Sequence, residues 1–432
     1  MRRCNVLQRR CLALFAPWSK CQSLHSVLVV SLMLLATPGA GWTPLKISIR
    51  DCGGLKNLPF PMTEDVDVFI DGVRDIACNS VTTISVIGNH ELHLSSSSPT
   101  LSFTNVRFVV HDESTLTVDV DDDVANNGGT TVTFQGVNGQ ESDGGVLEVK
   151  HGGSAVFLVP VHFEGNSVSD GFSGGALHVD GLVNFVHAAH FWGNQASTLV
   201  PSGGGSSCGG AVSVGEGGNL NFFEFTSFEE NSSERGGALC NRGSTIFDRR
   251  TFFTGNSAFA VGKDDGVVGG DGGAVYTQDG SQTVFSRRCT MHGNSASDSG
   301  GGVFNGGDME FVTSAAFWGN QATCTSTVSE IAGGGHLFNM GMLNIKGDVS
   351  FREGSSGADG GAVYTPPGGV TVLGGIATFD DNSADGECDD LFSSLKGKDV
   401  KLTTSRPTKG AATTATARRR RASLARTTPC QP

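Results

Sequence analysis

The stretch GGAVYTPPGGVTVLGGIATFDDNSA, residues 360–384, contains two short signatures that recur along the chain. Gly-Gly-Ala-Val opens the stretch, Phe-x-x-Asn closes it, and a small apolar run lies between them. Residues 272–296 repeat this arrangement as GGAVYTQDGSQTVFSRRCTMHGNSA. Internal repetition of this kind is the sequence signature of a repeat architecture.

The paired signatures occur eight times at nearly constant separation. Each closing signature begins 17 or 19 residues after its opening signature, which is too regular for chance. The openings begin at Gly144, Gly174, Gly209, Gly236, Gly272, Gly300, Gly334 and Gly360, and the closings begin at Phe163, Phe191, Phe228, Phe253, Met291, Phe317, Phe351 and Phe379.

The segments between the signatures predict strands. They are short runs of Val, Phe, Leu and Ile, interrupted by Gly, Asn and Asp. Openings follow one another at 26–36 residues, which predicts a solenoid with one coil per repeat. The connections 195–208, 257–271 and 321–333 are longer than the others. They follow every second closing and are expected to leave one edge of the stack.

Each signature residue has a predicted structural role. The glycine pair supplies positive φ at a sharp turn, and the phenylalanine points inward and stacks on the next coil, about 4.8 Å away. The asparagine passes its amide hydrogen bonds along the stack, with a single break at Gly354. The predicted columns are Phe163, Phe191, Phe228, Phe253, Phe317, Phe351 and Phe379, and Asn166, Asn194, Asn231, Asn256, Asn294, Asn320 and Asn382.

The ends of the chain differ from the repeats. Residues 1–41 are predicted to be a signal peptide or signal anchor, because five basic residues precede an apolar run at 27–36 that is too short to span a bilayer. Residues 42–143 read as irregular first coils that cap the helix, and 144–393 as the repeat helix. The basic segment 394–432 is predicted to be a disordered tail. No other segment is apolar enough for a transmembrane helix.

Charge and cysteine content narrow the function class. Residues 41–393 contain 15 Lys and Arg against 42 Asp and Glu, and an acidic body argues against a nucleic-acid partner. Eight cysteines remain after the leader, an even number that suggests disulfides in an exported protein. Cys52 with Cys78, and Cys388 with Cys430, are candidate pairs at the two ends.

Paired GGA(V/L) and FxxN tetrapeptides resemble the repeats of chlamydial polymorphic outer membrane proteins. The resemblance covers roughly residues 144–384, and it implies a right-handed parallel β-helix of the pectin-lyase-like type, at or outside the cell surface, with a role in adhesion. In that family the helix is exported through a C-terminal autotransporter barrel. Only 48 residues follow Ala384, too few for such a barrel, so secretion by the N-terminal signal is expected instead.

Enzymes also use the β-helix, so a polysaccharide lyase, hydrolase or epimerase is the main alternative function. The NTD, GHG and DPHD segments of such enzymes are absent, and no catalytic residue is predicted. The pairs Arg249-Arg250 and Arg287-Arg288 are interpreted as solvated surface. Asp119, Asp121, Asp122 and Asp123 form a candidate Ca²⁺ site without the glycine spacing of a calcium loop, and no other metal site or cofactor is predicted.

Exposed aromatics are the predicted binding residues. Trp192 and Trp318 each follow an inward phenylalanine, so strand alternation turns them outward, and each precedes a long connection. Tyr276 and Tyr364 are weaker candidates. The favoured hypothesis is a secreted or cell-surface scaffold that binds a polysaccharide or a surface protein without catalysis. A polysaccharide-modifying enzyme and a structural wall or matrix protein are the alternatives.

Overall fold

A computed structural model describes residues 44–58, 64–70, 72–119, 131–138, 142–197, 207–263, 266–324, 332–385, 391–393 and 400–402. The described strands belong to one compact unit that starts at Leu45. Its fold is the predicted all-β parallel β-helix, because each coil pairs in parallel with the coil before it and the coil after it. The predicted leader, 1–41, lies outside the described residues.

Sheet A receives one strand from every coil. Its strands pair in parallel, and their inward residues form one side of the core. The thirteen strands are Leu45–Ile49, Val66–Ile70, Glu91–Ser96, Thr115–Val118, Ser154–Phe157, Leu182–Phe185, Asn219–Phe222, Ser244–Phe247, Gln282–Phe285, Asp308–Phe311, Met342–Ile345, Val370–Leu373 and Val400–Leu402.

Sheet B contains two rows of strands that merge in the long strands Asp75–Val86 and Thr100–Val110. The row after the openings is Leu147–Val149, Leu177–Val179, Val212–Val214, Leu239–Asn241, Val275–Thr277, Val303–Asn305, Leu337–Asn339, Val363–Thr365 and Leu391–Ser393. The row of the closings is Thr131–Gln135, Val161–Glu164, Ala189–Trp192, Thr226–Glu229, Thr251–Thr254, Cys289–His292, Ala315–Trp318, Val349–Arg352 and Ala377–Asp380.

Sheet C is built from the two residues that follow each closing asparagine, or Gly354 in its place. Its strands are Ser167–Val168, Gln195–Ala196, Ser232–Ser233, Ser257–Ala258, Ser295–Ala296, Gln321–Ala322, Ser355–Ser356 and Ser383–Ala384. Two further elements lie outside the three sheets. They are the helix Cys52–Lys56 and the antiparallel hairpin of Ala260–Lys263 and Gly266–Gly269 within one long connection.

The core consists of two parallel columns of phenylalanine rings. Closing phenylalanines of neighbouring coils stack on one another, with centroids 4.7 Å apart for Phe191 and Phe228, and Met291 interrupts the column between Phe253 and Phe317. A second column, contributed by the last residue of six consecutive sheet A strands, stacks at 4.7–4.9 Å. Its members are Phe157, Phe185, Phe222, Phe247, Phe285 and Phe311. Rings of the two columns meet edge to face, as Phe222 and Phe228 do at 6.0 Å, an arrangement that aromatic quadrupoles favour.

The two glycines of each opening have different structural reasons. The first has positive φ in all eight repeats, between 57° and 73°, a backbone conformation that side chains disfavour. The second lies against the next coil. A Cβ built on Gly175 would lie 2.3 Å from the carbonyl oxygen of Gly210, and one on Gly210 would lie 2.1 Å from that of Gly237. The glycine pair therefore makes the turn and allows the coils to approach closely.

The closing asparagines form a continuous hydrogen-bonded column from Asn166 to Asn320. The side-chain amide of Asn194 donates to Oδ1 of Asn231 at 3.0 Å and to the carbonyl oxygen of Phe163 at 2.9 Å. The backbone N–H of Asn194 donates to the same Oδ1. These side chains are fully buried, so the column satisfies polar groups that would otherwise be costly in the interior.

His336 fills the break that Gly354 leaves in this column. The side chain of Asn320 donates to Nδ1 of His336 at 2.9 Å, and Nε2 of His336 lies 3.2 Å from Oδ1 of Asn382. Burial lowers the pKa of His336 to about 4, so the ring is neutral at pH 7, with its proton on Nε2. His336 stands where the other openings have alanine, glycine or valine, and Gly354 stands where the other closings have asparagine. The two departures compensate each other within one coil.

The ends of the repeat region follow the same sheets. The first coils lack the opening signature, and the pairing of Asp75–Val86 with Thr100–Val110 contains an irregularity between Ala77 and Thr82. At the other end Val400–Leu402 pairs with Val370–Leu373. Sheet A therefore continues past residue 394, where the sequence predicts the tail to begin, because Val400 and Leu402 extend an existing ladder.

Disulfides join neighbouring coils. Cys52 is bonded to Cys78, as the sequence suggested, and Cys208 is bonded to Cys240. Cys324 is also disulfide-bonded. Among the cysteines that the structure describes, Cys289 alone is a free thiol, and it is buried. The other suggested pair, Cys388 with Cys430, lies outside the described residues.

Candidate functional site

The residue after each closing phenylalanine forms an outward column on sheet B. Strand register aligns these side chains one above another. Trp192 and Trp318 are 51% and 49% exposed. The column consists of Glu164, Trp192, Glu229, Thr254, His292, Trp318, Arg352 and Asp380.

Each tryptophan has polar neighbours. The indole N–H of Trp318 donates to Oε2 of Glu353 at 2.6 Å, and its ring stacks on the imidazole of His292 at a centroid distance of 4.5 Å. Trp192 lies in register between Glu164 and Glu229. An exposed indole flanked by carboxylates offers a flat apolar face and nearby hydrogen-bond acceptors, a combination suited to sugar rings and to protein partners.

The two tyrosines lie in a different column from the tryptophans. Tyr276, Phe304, Phe338 and Tyr364 stack in sequence on the strands after the openings, with centroids 4.9–5.2 Å apart. Tyr364 is 7% exposed, and burial raises its pKa to about 12. Tyr276 is half-buried and lies beside the guanidinium of Arg235, at 5.7 Å from the ring centroid. Neither ring is as open to a ligand as the two indoles.

Three consecutive coils bring ionisable side chains together next to the connection 257–271. Arg235 precedes one opening, Asp271 and Tyr276 belong to the next coil, and Asp298 belongs to the third. Nε of Arg235 lies 3.9 Å from Oδ2 of Asp271. Asp298 is 7% exposed, and its Oδ1 has no hydrogen-bond partner among the described residues. No sequence motif predicted this cluster.

The acids of this cluster titrate near neutrality. Burial raises the pKa of Asp298 to about 7, and the charge of Asp271 adds to the effect. Burial also raises the pKa of Asp271 to about 6, while Arg235 acts in the opposite direction. Carboxyl groups with such pKa values are able to donate and accept protons at physiological pH. One sequence signal for the cluster exists: Arg235 and Asp271 each stand directly before a glycine pair.

The candidate calcium site falls largely outside the described residues, which include Asp119 but not 121–123. The described carboxylate of Asp119 lies 3.9 Å from Nε2 of His93, and the pKa of His93 is raised, chiefly by its hydrogen bond to Asp119. Within the described ranges no three His, Cys, Asp or Glu side chains are grouped to hold a metal ion. The calcium site stays a prediction.

Comparison with known proteins gives one match. Residues 250–278 match the family model of the Chlamydia polymorphic membrane protein repeat. This segment includes the closing at Phe253, the long connection and the opening at Gly272, so it contains both signatures. No curated protein and no solved structure matches the chain. Among the described residues no helix has the length and apolar character needed to cross a membrane. Residues 250–278 thus match one Chlamydia polymorphic membrane protein repeat, and they lie within consecutive coils of the parallel β-helix.

Proposed function

We propose that the chain is a secreted or cell-surface scaffold for adhesion that binds a polysaccharide or a surface protein without converting it. The observation that carries this proposal is the pair Trp192 and Trp318. Both are half exposed in one outward column, and they are four coils apart. Four strand spacings place them roughly 19 Å from each other along the stack. Two rigid aromatic contacts at that separation favour an extended ligand over a small molecule.

The repeat family supports a location at the cell surface. Its model is named for a membrane protein of Chlamydia, and the match spans one complete set of signatures. The fold supports a scaffold role, because the columns of Phe and Asn account for the recurring residues without assigning them any chemistry. Secretion and adhesion are the parts of the proposal that need an experiment.

Retention of the full chain on a panel of immobilised polysaccharides tests the proposal. We expect at least one polysaccharide to retain the protein, and the double variant Trp192→Ala/Trp318→Ala to be retained at least tenfold less. Met340→Ala/Met342→Ala is the matched control, because these two apolar side chains are 47% and 49% exposed and lie outside the tryptophan column and the closing strands. Equal loss in the control, or no retention by any polysaccharide or by cell-surface protein extracts, overturns the proposal.

A second candidate function, polysaccharide modification, is favoured by the cluster of Arg235, Asp271, Tyr276 and Asp298. Residues from three consecutive coils meet there, and two carboxyl groups have pKa values near neutrality. The same panel, scored for the release of reducing or unsaturated ends, tests it. Release that Asp271→Asn and Asp298→Asn each abolish establishes an enzyme, whereas retention without release leaves the scaffold proposal in place.

A further inference from the structure

Two pairs of arginines occupy one turn on consecutive coils. A three-residue turn connects each sheet A strand to the closing strand of the same coil. Arg249 and Arg250 are the last two residues of this turn in one coil, and Arg287 and Arg288 have the same positions in the next. The flanking strands pair residue for residue, Phe247 with Phe285 and Thr251 with Cys289. The pairs are therefore stacked about one strand spacing apart, close to 4.8 Å.

The stacked arginines line an open cavity of about 600 Å³. All four are exposed. The equivalent turns of the neighbouring coils complete the wall, with Glu224 and Phe225 on one side and Thr313 on the other. Phe225 is half-buried, and its ring lies between His190 and Phe252 at 5.4 Å and 5.6 Å. Oγ1 of Thr313 is buried and has no hydrogen-bond partner among the described residues.

The charge of this cavity is opposite to that of the chain. Residues 142–385 contain ten Lys and Arg, and four of them are these arginines, while residues 41–393 have an excess of acids. The one ion pair at the cavity joins Nε of Arg249 to Oε1 of Glu224 at 3.7 Å. Arg250, Arg287 and Arg288 have no ion-pair partner among the described residues. Four guanidinium groups facing one carboxylate repel each other, and a bound anion relieves that repulsion.

We propose that this cavity binds an acidic polysaccharide, with carboxylate or sulfate groups on successive sugars paired to successive arginine pairs. Guanidinium groups bind such oxyanions in a bidentate manner. An anionic group on each sugar of an extended chain repeats at a distance similar to the strand spacing. The half-buried ring of Phe225 offers an apolar contact to a sugar ring.

The geometry favours a polysaccharide over other polyanions. A nucleic-acid duplex carries one phosphate charge about every 1.7 Å of its length. This charge density is about three times that of a chain with one anionic group per strand spacing of about 4.8 Å, so the acidic surface on either side repels the duplex more strongly. Polyglutamate has carboxylates but no ring for Phe225 to contact. The site rests on the proposed function, since it names the ligand class of the scaffold, but it lies at the opposite end of the closing strands from the tryptophan column.

The test compares two variants of equal charge change in the full chain. Arg287→Gln/Arg288→Gln removes one arginine pair of the cavity. Lys46→Gln/Arg74→Gln removes two exposed positive charges in the first coils and serves as the matched control. The probes are polygalacturonate and dextran sulfate, with neutral dextran, polyglutamate and a DNA oligonucleotide for comparison. We expect the cavity variant to bind both acidic polysaccharides at least tenfold more weakly. Its slope of log affinity against log salt should fall by about 2, because each arginine releases about one counterion.

Every result bears on the site. Equal weakening in the control variant, or tighter binding of the wild type to polyglutamate or DNA than to the acidic polysaccharides, overturns it. If Trp192→Ala/Trp318→Ala abolishes retention while the arginine variant keeps both affinity and salt slope, only the arginine site fails. If the arginine variant loses binding while the tryptophan variant does not, the site stands and the tryptophan surface fails.

Discussion

At the scale of single residues, His336 makes the hydrogen bonds of a closing asparagine, although it lies in the opening signature of its coil. Its ring accepts from Asn320 and reaches Asn382, the two contacts that a side chain at position 354 makes elsewhere in the column. There is no room for both groups. A Cβ on Gly354 would lie 2.5 Å from Nε2 of His336 and 2.4 Å from the carbonyl oxygen of Gly361. The imidazole and the missing side chain are therefore mutually exclusive.

A double-mutant cycle tests this exclusion. His336→Ala should lower the free energy of unfolding by about 2–4 kcal/mol, because it leaves a cavity and buried amide groups without partners. Gly354→Asn should destabilise the wild type strongly and the His336→Ala variant much less. The contact with Gly361 affects both backgrounds equally and drops out of the cycle. Urea unfolding measures all four proteins. Additive effects, with a coupling below about 0.5 kcal/mol, would contradict the exchange.

Asp298 should make the free energy of unfolding decrease as the pH rises. Its folded pKa of about 7 lies above the ordinary value of 3.8 for an aspartate. The folded state therefore holds the proton more tightly, and the stability that the protonated form contributes is lost as pH rises from about 4 through about 7. Asp298→Asn keeps the shape of the neutral acid. It should raise the free energy of unfolding at pH 8 by on the order of 2 kcal/mol and have little effect at pH 4.

Thermal unfolding of Asp298→Asn between pH 4 and pH 8 measures this effect. Asp279→Asn is the control, because this side chain lies in an exposed turn and its replacement should leave the pH profile unchanged. A gain that is the same at all pH values would mean that deprotonation of Asp298 is not its cause.

The sequence predicts single residues well only where they repeat. The Phe and Asn columns follow from the spacing of the signatures, because strand alternation decides which residues face the core. His336 could not be foreseen, since the glycine that makes room for it lies in the closing signature and nothing local connects the two. The cluster of Arg235, Asp271 and Asp298 escaped notice for a similar reason. Its members lie on three coils separated by connections of unequal length.

At the scale of one strand, successive side chains alternate between the core and the outer surface. In Thr251–Thr254 the adjacent residues Phe252 and Phe253 have opposite environments: Phe253 is fully buried and stacked on Phe228 at 4.8 Å, while Phe252 is half-buried and faces outward. Most closing strands have this division, although Ser227 is also buried in Thr226–Glu229 and Phe379 is only partly buried in Ala377–Asp380. The inner positions are constrained by the column, and the outer positions are free to vary in chemistry from coil to coil.

The two neighbouring phenylalanines provide a matched comparison. Phe253→Ala should cost about 3–5 kcal/mol, as expected for loss of a large buried ring. Phe252→Ala should cost about 1 kcal/mol, because much of its surface is already in water. Equilibrium unfolding in urea distinguishes them, with far-UV circular dichroism to confirm that both variants fold. Costs that are equal for the two positions would show that the column is not the main source of stability.

At the scale of the whole molecule, each coil contacts only the coil before it and the coil after it, as in other solenoids. A complete coil is thus a removable unit. Residues 334–359 form one coil that holds both His336 and Gly354. Removing it places Gly360 after Gly333 and brings Asn320 next to Asn382, which restores a regular asparagine column.

Deletion of 334–359 should therefore give a protein that still unfolds cooperatively. Deletion of 345–372 also removes one coil, by the register that pairs Ile345 with Leu373. It keeps His336 but places it in one coil with Asn382, where the ring and the asparagine compete for the same space. We expect the first deletion to be more stable than the second by at least about 2 kcal/mol. Urea unfolding compares them, and a reversed order would contradict the coil as the unit of stability.

The sequence predicts the architecture of the whole chain better than its ligand. Stacked parallel coils follow from eight signatures that leave few other ways to bury their phenylalanines. The arginine cavity depends on which turns become neighbours. In the sequence, Arg249-Arg250 and Arg287-Arg288 are two separate pairs that resemble ordinary surface residues. Only the stacking of the coils places them around one cavity.

The exchange between positions 336 and 354 bears on how such a chain changes over generations. Gly354 and His336 lie on the same coil. That coil therefore offers the usual hydrogen-bond donor and acceptor to the asparagines of the coils on either side. Duplication or loss of this whole segment leaves no gap in the asparagine column. A break inside the segment separates Gly354 from His336, and the column then has a gap or a clash. Gain or loss of a whole repeat is thus the change that disturbs the core least. The number of coils can therefore change while the packing inside the stack is preserved.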